Sequence, residues 1–138
     1  MNVQLITAGS LAVLAAAIHG GAGEVLVVRR LSPETLSASA LGGPRMTRAM
    51  IHVSWHVTTI AFLAVGIALL LSGSVLEGDA ARAVGLVAAG MSTGFAAVAL
   101  GLGAADTKTP RSLLRHPGPV ALTLVAALAW WGALMLPH

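Results

Sequence analysis

Three of the five histidines in this chain, His19, His52 and His56, lie with one glutamate, Glu24, inside long apolar stretches where ionisable side chains are costly to place. Imidazole nitrogen is the commonest biological metal donor, and a carboxylate adds charge and an oxygen ligand. His19, Glu24, His52 and His56 therefore form a candidate first shell for Zn, Cu, Fe or Mn. His52 and His56 are four residues apart, which sets both rings on one face of a helix, and Arg48 and Thr59 extend the same stripe. This is the histidine spacing of HExxH zinc proteases, but Val53 stands where their glutamate would, which removes the base of that chemistry.

Depth divides the four. In an antiparallel helix pair, His19 lies roughly 13 Å inside the end near Val28 and His56 a similar distance inside the start near Met46. His19 and His56 then form a deep half of the site, with Glu24 and His52 a shallower one. A facing His19 and His56 would also permit axial ligation of a b-type haem between the helices. Glu24 is harder to include: on an ideal helix five residues turn it about 140° from His19. The intervening Gly20-Gly21-Ala22-Gly23 would relieve this by admitting a kink or a one-turn π-bulge. A purely structural alternative pairs Glu24 with Arg48 and satisfies the imidazoles on Ser54, Thr58, Thr59 or backbone carbonyls.

The elements that must hold these residues follow from composition. With 57% hydrophobic and 9% charged residues in 138, the chain has too much apolar surface for a water-soluble core. Residues 3 to 28, 49 to 71, 83 to 105 and 119 to 136 each approach the roughly 20 residues that cross a bilayer as a helix. The expected fold is an all-α integral membrane protein, a four-transmembrane-helix antiparallel bundle forming a single domain over residues 1 to 138.

Charge sets its orientation. Arg29, Arg30, Arg45 and Arg48 flank the first connection and Lys108, Arg111 and Arg115 fill the third, leaving only Arg82 of the eight basic residues on the other side. The positive-inside rule puts those two connections in the cytoplasm and both termini, Met1 and His138, outside it, as expected for a bacterial inner-membrane protein. The first span has no Lys or Arg before it and too long an apolar run for a signal peptide, so it is read as retained.

Ser32-Pro33-Glu34 and Thr109-Pro110-Arg111 carry helix-start chemistry, and the segments after them, with Leu36 and Leu41 or Leu113 and Leu114, read either as interfacial helices or as capped loops. Gly90 and Gly94, near Gly85, Ala97 and Gly101, would let helices approach closely, within the chain or with a partner. Ser92 and Thr93 are expected to bond the preceding helical turn. Trp130 and Trp131 fit an interfacial belt. Asp106 should pair with Lys108 or Arg111, and His116 and His138 should be solvated.

Several functions have no support. The loop arginines lack aromatic interleaving, so the basic charge points to anionic lipid headgroups and not to nucleic acid. There is no cysteine, and therefore no disulfide or thiolate ligand. No nucleophile with a base and no phosphate loop is present. The reading is a small membrane protein whose buried His/Glu cluster binds a transition metal or haem near the cytoplasmic side. The alternatives are a non-catalytic accessory subunit of a larger membrane complex and a proton-linked small-molecule transporter, and the expected assembly is a homo-oligomer or a larger membrane complex.

Overall fold

The computed structural model describes residues 1–40, 42–106 and 117–137, with the backbone alone at 106. The expectations for Leu41, for the Asp106 side chain, for the Lys108, Thr109, Arg111, Leu113, Leu114, Arg115 and His116 connection and for His138 lie outside them. All regular elements among the described residues are helices, with no strand, and four of them are long and apolar enough to cross a membrane.

The first runs over Val3–Arg30 as a composite. It opens with α1 (Val3–Ala17), passes through a π turn (Ile18–Ala22), resumes as a single α turn, α2 (Gly23–Leu26), and closes in a 3-10 turn (Val28–Arg30). The others are α3 (Pro44–Ser74), α4 (Gly78–Asp106) and α5 (Pro117–Leu134). α3 starts earlier than its hydropathy indicates because Pro44 is preset for a first helical position. Arg45 and Arg48 are thus helical residues, not loop residues. Ser32 caps only a 3-10 turn (Pro33–Thr35), its Oγ accepting from the Glu34 N–H at 3.4 Å, so this connection is a capped loop and not an interfacial helix. Gly78, at φ +54°, supplies the left-handed residue that starts α4 after the turn from α3.

The chain divides into two compact units. One comprises Met1–Ala15 and Ala64–His138. Its core joins Leu5, Ala8 and Ala12 of α1 with Val65 and Leu69 of α3, Ala88 and Ala89 of α4 and Val125, Ala129 and Ala133 of α5. Lipid is as apolar as these side chains, so close van der Waals packing must hold them. Glycine permits it: a Cβ on Gly9 would lie 2.8 Å from the Gly66 carbonyl oxygen, and one on Gly73 would lie 2.9 Å from Leu5 Cβ. Of the small-residue pattern of α4, Gly85 makes such an approach, a Cβ there lying 2.9 Å from Ser72 Oγ and 3.3 Å from Ala133 Cβ, whereas a Cβ on Gly90, Gly94 or Gly101 would meet none of the described residues within 4 Å.

Asn2 ties this unit at one end. Its side chain accepts from the Leu5 N–H at 3.0 Å as the N-cap of α1 and donates to the Gly132 carbonyl at 2.9 Å. Its own N–H bonds the Gly73 carbonyl at 2.8 Å. Ser92 and Thr93 bond back to Ala88 and Ala89 at 2.8 and 2.9 Å, as their mid-helix positions predict. Thr93 also accepts from the Trp130 indole at 2.9 Å. Apolar residues on the outer surface, such as Val87 at 65% exposure, suit contact with lipid.

The other unit is Ala16–Leu63. It contains every intramembrane ionisable residue singled out in the sequence.

Candidate metal centre

Three donor atoms converge in the Ala16–Leu63 unit. Glu24 Oε2 lies 3.2 Å from His52 Nε2 and 3.4 Å from His56 Nε2, and one donor atom from each of the three residues lies within 4.8 Å of the others. The helical step of four residues stacks the two histidines on one face of α3, with ring centroids 5.0 Å apart. Glu24 reaches them from α2.

The π turn makes this possible. On an ideal helix Glu24 would face about 140° away from His19. One extra residue in the turn makes the step from 19 to 24 resemble a four-residue α-helical step, about 40° off alignment. Both side chains consequently meet α3, as the glycine cluster allowed. They meet it at different levels, however, and His19 stands outside the group formed by Glu24, His52 and His56.

His19 is held elsewhere. Its ring stacks on Trp55, with centroids 4.1 Å apart and planes 11° from parallel, and meets Phe62 edge-on at 5.4 Å. Its Nδ1 lies 2.9 Å from Thr59 Oγ1. The Thr59 hydroxyl proton is directed at the Trp55 carbonyl, 3.1 Å away. Both bonds form at once only if Nδ1 carries a proton and donates, which leaves Nε2 as the nitrogen with a lone pair. His19 lies at the level of His56, between Trp55 and Thr59, but its ring faces those two residues and not the Glu24, His52 and His56 group.

Around the carboxylate, the basic partner is Arg29, whose Nε donates to Glu24 Oε1 at 3.3 Å. Arg48, the expected partner, instead gives its Nε to the Leu31 carbonyl at 2.8 Å. The chain beyond the 3-10 turn is extended at Leu31, which leaves that carbonyl outside any helical ladder. The two oxygens of Glu24 thus have separate roles: Oε1 faces the guanidinium and Oε2 faces the imidazoles. Oε2 is buried and accepts no hydrogen bond from the described residues.

Such an atom is unusual, since a buried carboxylate oxygen ordinarily accepts at least one hydrogen bond. A carboxylate oxygen beside two imidazole nitrogens, which bear lone pairs when the neutral rings carry their proton on Nδ1, has the makeup of a cation site. Two histidines and one carboxylate also recur as ligands of zinc hydrolases and of non-haem iron, with further coordination positions left for water or substrate. His52 and His56 are 40% and 46% exposed, so those positions are reachable from outside.

Sequence reasoning missed Trp55 and Phe62. The signal was there: Trp55, Thr59 and Phe62 follow steps of four and three, a stripe beside that of His52 and His56. Comparison with models of protein families, with curated proteins and with solved structures finds no match to this chain.

Proposed function

We propose that this chain is a four-span integral membrane protein that binds one divalent transition-metal ion through Glu24 Oε2, His52 Nε2 and His56 Nε2. The reading is carried by Oε2, a buried anionic oxygen that accepts no hydrogen bond although two imidazole nitrogens stand within 3.4 Å. A metal between the three would compensate all of them at once. The donor set suits Zn, Fe, Cu or Mn and is too poor in oxygen for Ca or Mg. His19 belongs to the ligand set only if its ring leaves Trp55 and Thr59.

We further infer an antiparallel arrangement with both termini outside the cytoplasm and the metal group toward the cytoplasmic side, in a bacterial inner membrane. Its support is the seven-to-one distribution of Lys and Arg between the short connections. The cytoplasmic connections would then lie against anionic headgroups.

Metal per protein, measured by elemental analysis after purification in detergent and dialysis against Zn, Fe, Cu or Mn, tests the reading. Wild type should hold close to one ion, and Glu24→Gln, His52→Ala and His56→Ala should each hold far less. Substoichiometric metal in wild type, or retention in all three variants, refutes it. A stoichiometric membrane partner that co-purifies with metal-free protein would favour the accessory-subunit alternative.

A further inference from the structure

A cleft of about 430 Å³ opens in the same Ala16–Leu63 unit, on a different face of α3 from the metal group. His19, Ser39, Thr47, Ser54, Trp55 and Thr58 line it with Met50 and Ile51. Along α3, Thr47, Ser54 and Thr58 lie at steps of seven and four, a polar stripe that runs about 16 Å along the helix. Trp55, stacked on His19, separates this stripe from that of His52 and His56. None of these residues belongs to the proposed metal shell.

Proton accounting defines what the cleft offers. Thr58 donates its hydroxyl proton to the Ser54 carbonyl at 2.9 Å, Thr47 to the Ser37 carbonyl at 3.2 Å and Ser39 to the Gly42 carbonyl at 3.4 Å. Their oxygens keep lone pairs and no proton to give. With the Thr59 proton on the Trp55 carbonyl, Nδ1 of His19 is the donor to Thr59 and Nε2 is an acceptor as well, with no hydrogen-bond partner among the described residues. Only Ser54 has an uncommitted hydroxyl. A wall of acceptors selects a hydrogen-bond donor.

The charge of that donor is also constrained. No carboxylate is among the lining residues, so an ammonium or guanidinium group would lie uncompensated against an apolar membrane segment. A neutral hydroxyl meets the requirement, since it can donate to Nε2 and accept from Ser54. The remaining surface, from Trp55, Ile51 and Met50, suits a hydrocarbon body.

We propose that this cleft binds a neutral, membrane-dissolved alcohol or phenol whose hydroxyl donates to Nε2 of His19. The stacked Trp55 and the Thr59 hydroxyl fix the tautomer and the plane of the imidazole, so the acceptor is preorganised. This separates two functions that the sequence grouped: Glu24, His52 and His56 face a cation, and His19 faces an organic hydroxyl.

The test uses the full chain in lipid nanodiscs, titrated calorimetrically with 4-octylphenol and with 4-octylanisole, which has the same body but no donor. Wild type should bind the phenol saturably and at least about tenfold more tightly than the anisole, the value of one hydrogen bond in a site that leaves its acceptor otherwise unpaired. His19→Leu should reduce the two ligands to equal affinity, and Ile51→Trp, which fills the cleft with His19 in place, should remove saturable binding of both. Glu24→Gln should leave phenol binding unchanged while it loses metal. Equal affinities in wild type, a phenol preference that survives His19→Leu, or full binding by Ile51→Trp would overturn the proposal. Ile51→Trp carries the decision if His19→Leu does not fold.

Discussion

His19 and Trp55 hold each other twice: the imidazole lies flat on the indole with ring centroids 4.1 Å apart, and the indole N–H donates to the His19 backbone carbonyl at 2.9 Å. The second contact explains how a helix defect survives in an apolar setting. At the π turn the Gly23 N–H bonds the Ile18 carbonyl, so the His19 carbonyl loses the donor an α-helix would give it. Trp55 supplies the replacement. The π turn in turn places Glu24 against His52 and His56, so the indole supports the metal group without touching it.

Removing only the indole donor should therefore destabilise the protein. Trp55→Phe keeps an aromatic surface for His19 but leaves the His19 carbonyl unpaired, at a cost of about 1–3 kcal/mol. Thermal unfolding in detergent, followed by circular dichroism, would record this as a lowered midpoint. An unchanged midpoint would mean that the carbonyl is satisfied without Trp55.

The glycines around the π turn should differ in sign when changed to alanine. A Cβ on Gly20 or Gly23 would run into Thr59 Cγ2 or the Trp55 ring, whereas one on Gly21 meets nothing within 4 Å. Gly20→Ala and Gly23→Ala should cost about 1–3 kcal/mol through overpacking. Gly21→Ala should be neutral or stabilising by up to about 1 kcal/mol, because it restricts the unfolded backbone. Equal effects at all three positions in the same melting assay would contradict this packing.

Legibility in the sequence followed the length scale of the cause. The four long helices were readable because a bilayer demands about 20 apolar residues, and that demand is local in sequence. The convergence of Glu24 with His52 and His56 was partly readable, since the glycine cluster signalled the defect that turns Glu24. The partner of Glu24 was not. Arg29 follows it by five residues, a poor helical spacing, and reaches it only because the helix gives way to the 3-10 turn at Val28–Arg30. The separation of His19 from the other histidines was equally hidden, because it depends on which nitrogen and which ring face Trp55 and Thr59 engage.

Orientation can be tested at the C-terminus. Seven of the eight basic residues lie in or beside the first and third connections, which predicts that both termini are outside the cytoplasm. An alkaline phosphatase fused to His138, active only outside, should give strong activity, and a cytoplasm-dependent fluorescent protein at the same position little signal. The reverse pattern would place the metal group toward the outer face.

Metal binding should weaken as pH falls, with a slope that reports how many imidazoles coordinate. Each ring that takes up a proton is lost as a ligand, so affinity should fall as pH falls. With two histidines in the shell, once both rings are protonated in the metal-free protein, affinity should drop about a hundredfold per pH unit, because two protons displace one ion. His19 lies outside the group, so His19→Gln should retain this slope, whereas His52→Ala should bind more weakly from the start with a slope of about tenfold per unit. Competition titrations against a chromophoric chelator between pH 5 and 8 provide the measurement. A slope unaffected by His52→Ala, or one that flattens in His19→Gln, would transfer the ligand role from the α3 pair to His19.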